Sequence, residues 1–578
     1  TDLSCGPEFR ALTAAVREGS VAEEEIDRAV KRLFEARFRL GMFDPPEMVP
    51  WSKLTIGDND TPAHRELARE TARKSVVLLK NERNILPLKP DVGTIAVVGP
   101  TADALSVLLG NYTGTPSRYV TPLEGIRQRF RNTKVLYSQG SPLTETTAAP
   151  IPAKLLRTGG PNSQPGLRAE YFNNRDLRGA PAVVRVDAEV DFHWDNAAPA
   201  PGLSAENFSV RWTGELVPPT DGEYLIGGSA NDGFRVYLDG KKVVDDWSVH
   251  SERALIASVR LEGGRAYAVR MEYFQALGGS AARLVWTPPN LLTDAVEAAK
   301  EADVIIAVVG ITAQLEGEEM DSNSPGFFGG DRVDLDLPRT QQQMLEALHA
   351  TGKPLVVVLT SGSAVAINWA QENAAAVLAL WYPGEEGGTA LADVLAGDYN
   401  PAGRLPVTFY KSVAQLPPFR NYSMNGRTYR YFSGAPLYPF GYGLSYTTFS
   451  YGPARVDREQ AAAGESVTVS VDVKNAGTST GEEVVQLYVA HPGVEGAPIR
   501  ALQGFARITL APGEQKTVHL PLTDRQMSIV AEDGSRRIVP GTVEVWIGGG
   551  QPIELPGLPA PRGSKAQFRI TSAAVLPD

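Results

Sequence analysis

Apolar residues recur along this chain with two different periods, and the alternation between them divides it. Over 21–40, Ile26, Val30, Leu33, Phe34 and Phe38 fall at helical spacing behind a run of acids and ahead of Gly41 and Pro45, which predicts an amphipathic helix. A second helical pattern covers 63–79, leading into SVVLLKN (75–81). Beyond it come short, continuously apolar runs: TIAVVGP (94–100), DVIIAVVG (303–310), PLVVVLTSG (354–362) and AAVLALWYPG (375–384). Strands buried on both faces read this way. With a helical pattern at 339–351 between two of them, they predict an α/β layer with βαβ crossovers, whose ligand sites lie at the carboxyl ends of the strands.

Between those runs the period drops to two. Residues 155–290 alternate polar and apolar positions, with Asp-Gly turns at 221–222, 232–233 and 239–240, and Pro/Gly/Ser-rich linkers flank them. This predicts an antiparallel β-sandwich inserted into the α/β domain. Clean alternation returns after Phe449 in ESVTVSVDVKNAG, EEVVQLYVAH, KTVHLPL and GTVEVWIGG, which predicts an immunoglobulin-like or fibronectin type III-like sandwich.

Composition narrows the partners. At 578 residues the chain has room for about three to five domains, and 43% hydrophobic with 21% charged residues is ordinary globular usage. A net charge of −11 without any sustained basic run argues against nucleic acid or an anionic membrane and leaves a neutral ligand open. The single cysteine, Cys5, excludes an intramolecular disulfide and a Cys-rich metal site. No run reaches the roughly 18 apolar residues of a membrane span. Thr1-Asp2-Leu3-Ser4-Cys5-Gly6 reads as interior sequence, so an upstream region is expected.

Two polar clusters follow apolar strands. Gln314-Leu315-Glu316-Gly317-Glu318-Glu319-Met320-Asp321 lies beyond the 303–310 run and is followed by Gly329-Gly330-Asp331-Arg332. Acids crowded at a strand end, beside flexible glycines, can house a carboxyl group that works as a general acid; the same composition fits a solvated acidic loop. Trp381-Tyr382-Pro383-Gly384-Glu385-Glu386 places aromatic faces beside carboxylates, which suits a sugar, while a helix start stabilised by its acids explains Glu385 and Glu386 equally well. The six histidines form no HExxH, and no nucleophilic serine elbow, Walker loop or GxGxxG after a strand supports metal, phosphate or dinucleotide chemistry.

Together the motifs resemble glycoside hydrolase family 3, the retaining exo-β-glycosidases of β-glucosidase and β-xylosidase type. The resemblance runs from Gly41-Met-Phe-Asp44 through Ser75–Asn81, Leu86-Pro-Leu88, Val97–Pro100, Leu315–Met320 and Gly330-Asp-Arg332. It continues in Trp381–Gly384, Gly403–Phe409, Gly426–Phe432 and Tyr438–Tyr446. The insert, by its Asn231-Asp-Gly-Phe234 and Tyr237-Leu-Asp-Gly240 stretches, is similar to a protective-antigen-type sandwich that some members carry over the catalytic pocket.

The resemblance implies four parts: residues 1–50 as the end of a (β/α)8 barrel, 51–154 with 291–446 as a split α/β sandwich, 155–290 as the insert, and 447–578 as a fibronectin type III-like domain. It implies hydrolysis of terminal non-reducing β-D-glucosyl or β-D-xylosyl units, without cofactor or metal. Glu318 aligns with the acid/base and Glu316 is the runner-up. Glu316, Met320, Trp381 and Tyr382 are the expected substrate contacts. Partial burial and the nearby Glu316, Glu319 and Asp321 would tune Glu318 for proton transfer. The family's nucleophile is a barrel aspartate, and no residue here takes that place; Asp246-Trp247 fits a sandwich hairpin better. The expected partners are a glycoside substrate and an N-terminal barrel fragment, with room for a homodimer, in a periplasmic or secreted setting. A non-catalytic carbohydrate-binding or structural fragment is the rival.

Overall fold

The computed structural model describes every residue except 1, 5, 115, 196, 319–323 and 578, so Thr1 and Cys5 lie outside it. The chain divides into two compact units, Thr1–Leu67 and Ala68–Asp578.

In the first unit the expected helix spans Glu23–Arg39, with three glutamates in its first turn and Arg37 and Arg39 in its last, each charge favourably placed on the helix dipole. Phe34 and Phe38 reach Phe43 just beyond the helix, with ring centroids 5.9 and 4.7 Å apart.

The second unit is built on a six-stranded sheet in the order Val77–Asn81, Ala376–Ala379, Leu355–Thr360, Val304–Gly310, Thr94–Val98, Lys134–Ser138. All neighbours are parallel except the first pair. The helix expected over 63–79 ends at Ser75, and the residues from Val77 on form the antiparallel edge strand, because their side chains are buried on both faces of the sheet. Helices cover both faces. Met344, Leu345 and Ala299 pack on one, against Ala96, Val98 and Ile305. Leu123, Ile126 and Leu391 pack on the other, against Ile95, Val97 and Ile306.

Strand-terminal glycine has a physical cause at Gly310, where φ is +139° and a Cβ would lie 1.9 Å from the Thr360 carbonyl oxygen. Only glycine lets the chain turn there against its neighbour.

Between Ser138 and Leu291 the chain forms two facing antiparallel sheets around a core of its own, rich in Tyr171, Phe208, Trp212, Phe234 and Tyr273. The buried Asp187 carboxylate accepts from the Tyr171 hydroxyl (2.7 Å), the Trp212 indole (2.8 Å) and Arg185 (2.6 Å), so the polar atoms of these large rings are satisfied inside the core. The chain enters and leaves through one ladder, Ala149 opposite Trp286 and Pro150 opposite Val285.

From Phe449 on, three more sheets, of four, five and three strands, surround a Val/Leu/Ile core. They contain Val467–Asn475, Gly481–Ala490, Gln515–Leu522 and Gly541–Gly548 as expected, with Ala501–Leu510 and Gly563–Ile570 added.

Candidate active site

The acidic loop starts where the Val304–Gly310 strand stops, and its root is fixed by one side chain. Buried Gln341, on the helix Arg339–His349, accepts from the Gly310 N–H and donates to the Gly310 carbonyl, both at 2.7 Å. The loop then turns back, with the Leu315 and Glu316 N–H groups both donating to the Thr312 carbonyl.

Glu316 is held by three donors at 2.6 Å. Its Oε1 accepts from the Gly362 N–H and the Tyr382 hydroxyl, and its Oε2 from the Ser363 hydroxyl. Gly362 and Ser363 follow the Leu355–Thr360 strand, and Tyr382 follows Ala376–Ala379, so three neighbouring strand ends converge on one carboxylate. Arg332 completes the network, donating to the Ser363 hydroxyl (3.2 Å) and the Ala364 carbonyl (2.7 Å). Burial pulls the Arg332 guanidinium below its ordinary range while the charge of Glu316 pulls the other way. Burial, then the negative charge of Glu316, drive the Tyr382 phenol far above its usual value, so it stays a donor.

Glu318, two residues on, is exposed on the wall of an open cleft of about 1120 Å³. The partial burial expected of it is not present, and Glu319, Met320 and Asp321 lie outside the described residues. Glu316, Asp331 and Arg332 line the same cleft, and Tyr410, Tyr429 and Phe440 supply aromatic surface. Rings for the C–H face of a pyranose, beside charged groups for its hydroxyls, are what a sugar pocket needs.

Trp381 and Tyr382 do not line this cleft. The Trp381 indole donates to the Ser75 carbonyl (3.1 Å) and meets Phe409 edge-on, and Tyr382 faces Glu316. Asp246 accepts two bonds from Arg253 within the inserted sandwich, at 2.7 and 2.8 Å. Sequence reasoning missed Ser363, Tyr410, Phe440 and the cleft-lining role of Tyr429 and Arg430. The signal for the last two was the Gly426–Phe432 motif, dense in aromatic and cationic side chains. Among the described residues, no group of three His, Cys, Asp or Glu side chains could hold a metal, and no helix is long and apolar enough to cross a membrane.

Comparison with known proteins adds to this geometry. Residues 76–446 match the glycosyl hydrolase family 3 C-terminal domain, and residues 483–551 match a fibronectin type III-like domain. The chain is 38% identical to a xylan 1,4-beta-xylosidase of Xylanibacter ruminicola, over 95% of this chain and 64% of that protein. It is 30% identical to a periplasmic beta-glucosidase of Salmonella typhimurium, over 95% of this chain and 57% of that one. The crystal structure of the Kluyveromyces marxianus beta-glucosidase in complex with glucose superposes with a TM-score of 0.77 at 26% identity, covering 99% of this chain and 71% of that one. The chain thus spans under two thirds of the length of these two curated relatives.

Proposed function

Because the chain belongs to glycosyl hydrolase family 3, we propose that it takes part in removing a terminal non-reducing β-D-glucosyl or β-D-xylosyl unit from an oligosaccharide or glycoside, with Glu318 as acid/base. One observation carries the assignment: of the two described glutamates on the loop, Glu316 is engaged by three donors and Glu318 is exposed on the cleft wall. A group that gives up a proton and takes one back must reach the reacting oxygen, and Glu318 has that freedom.

In this reading Glu318 protonates the departing glycosidic oxygen and then deprotonates the water that releases the sugar. A retaining mechanism needs a second carboxylate about 5–5.5 Å away to form the glycosyl-enzyme intermediate. We assign that nucleophile to a (β/α)8 barrel of which residues 1–50 form the end, and which acts as this chain's partner. The inserted sandwich reads as a protective-antigen-type unit. The setting is periplasmic or secreted, in line with the name of the Salmonella relative. The rival reading, a non-catalytic carbohydrate-binding fragment, is the weaker, since the relatives matched along 95% of the chain are named for hydrolysis.

The test is Glu318→Ala in the complete enzyme. Turnover of substrates with poor leaving groups should fall by about 100- to 10,000-fold, and azide should restore hydrolysis of activated aryl glycosides. Equal loss on both substrate kinds without rescue, or rescue only in Glu316→Ala, refutes the assignment.

A further inference from the structure

On the C-terminal sandwich, Trp546 lies on a bed that only glycine can provide. Gly548 and Gly563 face each other in the ladder between Gly541–Gly548 and Gly563–Ile570. A Cβ on Gly563 would come within 2.5 Å of the Trp546 ring, and one on Gly548 within 2.9 Å of its indole nitrogen. The indole N–H donates to the Gly550 carbonyl at 2.8 Å, which fixes the ring along the strand. The ring is half-buried, and it borders a groove of about 480 Å³.

The groove is furnished for hydroxyl groups. Lys565 lies opposite Trp546 and Gln567 opposite Glu544 in the ladder, with Lys565, Gln567 and Glu544 exposed, and Arg500 stands beside them, donating to the Gln551 amide oxygen (3.0 Å). The Glu544 carboxylate and the Gln567 amide add acceptors to the donors of the two cations, as ligand hydroxyls require, and Glu544 would repel the carboxylates of an anionic chain. The groove also shares a wall with the catalytic cleft. Tyr429, lining the cleft, meets Tyr488 of the groove edge-on at 6.1 Å, and the Ile499 N–H of the groove donates to the carbonyl of cleft-lining Arg430 at 2.7 Å.

We propose that Trp546, with Glu544, Gln567, Lys565 and Arg500, forms a second glycan-binding platform that takes the distal units of a neutral β-linked oligosaccharide whose end occupies the cleft. The choice of ligand rests on the glycosidase reading; the platform does not depend on Glu318 or on turnover.

Titration calorimetry of the whole chain with neutral xylo- and cello-oligosaccharides tests it. Affinity should rise by about tenfold from the disaccharide to the hexasaccharide, and Trp546→Ala should abolish that rise. Glu544→Ala and Gln567→Ala, at exposed positions outside the sandwich core, should weaken hexasaccharide binding by about three- to tenfold, and they decide the matter if Trp546→Ala fails to fold. Unchanged hexasaccharide affinity in the folded variants overturns the proposal. Tighter binding of hexagalacturonate than of the neutral hexasaccharides overturns it equally. Since binding is read without hydrolysis, an active Glu318→Ala enzyme would refute the acid/base assignment and leave these outcomes standing.

Discussion

Glu316 and Glu318 are two residues apart and chemically alike, yet their surroundings differ: three donors hold the first, and the second is exposed on the cleft wall. Glu316 ties together three strand ends, and its Tyr382 contact is the only one of the three made by a long side chain. Tyr382→Phe keeps the ring and removes the hydroxyl, so it isolates that bond. It should lower stability by about 1–2 kcal/mol, the cost of a lost hydrogen bond to a partly exposed charge, read as a shifted denaturation midpoint at constant slope. An unchanged midpoint would mean that Gly362 and Ser363 hold the carboxylate alone. At this scale the sequence was legible where chemistry marks a residue: acids crowded after an apolar strand announced the loop. It was silent on which acid is held, because the holders are a glycine N–H, a serine and a tyrosine from segments 46, 47 and 66 residues away. Trp381 shows the converse, since an aromatic beside glutamates looks like sugar-binding surface whether it faces a cleft or the core.

Elements were readable when both faces or one face was uniformly apolar. The four apolar runs became the buried strands of the six-stranded sheet, and period-two alternation marked both sandwiches. Lys134–Ser138 is half-exposed at the sheet edge and carries no such pattern, and Ala501–Leu510 mixes arginine, glutamine and glycine along an edge strand. Helix contact was also hidden. The helices Pro122–Arg129 and Gly387–Ala396 touch backbone to backbone: a Cβ on Gly388 would lie 1.9 Å from the Thr121 carbonyl oxygen, and one on Gly125 would lie 2.0 Å from that of Gly388. Gly388→Ala must therefore push the helices apart. A loss of about 3 kcal/mol or more is expected, measured by urea denaturation, and a loss below about 1 kcal/mol would show that the helices slide without cost. Since Gly387–Ala396 begins five residues after Tyr382, the same change should loosen the support of Glu316.

Across the whole second unit, covalent order and spatial order part company. The α/β sheet draws its strands from 77–138 and 304–379, and the sandwich between them keeps a hydrophobic core drawn entirely from its own residues, Ile151 to Trp286. Farther on, buried Arg404 and Glu483 pair at 2.7 Å, linking the α/β part to the C-terminal sandwich. The alternation pattern matches the antiparallel strands between Ser138 and Leu291; pairing between segments distant in sequence, such as Arg404 with Glu483, left no local trace. Replacing residues 150–285 by a two-residue turn should leave a protein that keeps its α/β sheet, with the helical circular-dichroism signal melting at an unchanged midpoint. Aggregation, or loss of the α/β sheet's own melting transition, would show that the two cores fold as one.

The short ladder at Ala149 and Trp286 gives that experiment its meaning. Paired antiparallel residues lie only about 5 Å apart, so 136 residues of sandwich hang from a gap one turn can close. A segment joined across so short a gap can be lengthened, shortened or removed without changing the distance its flanks must span.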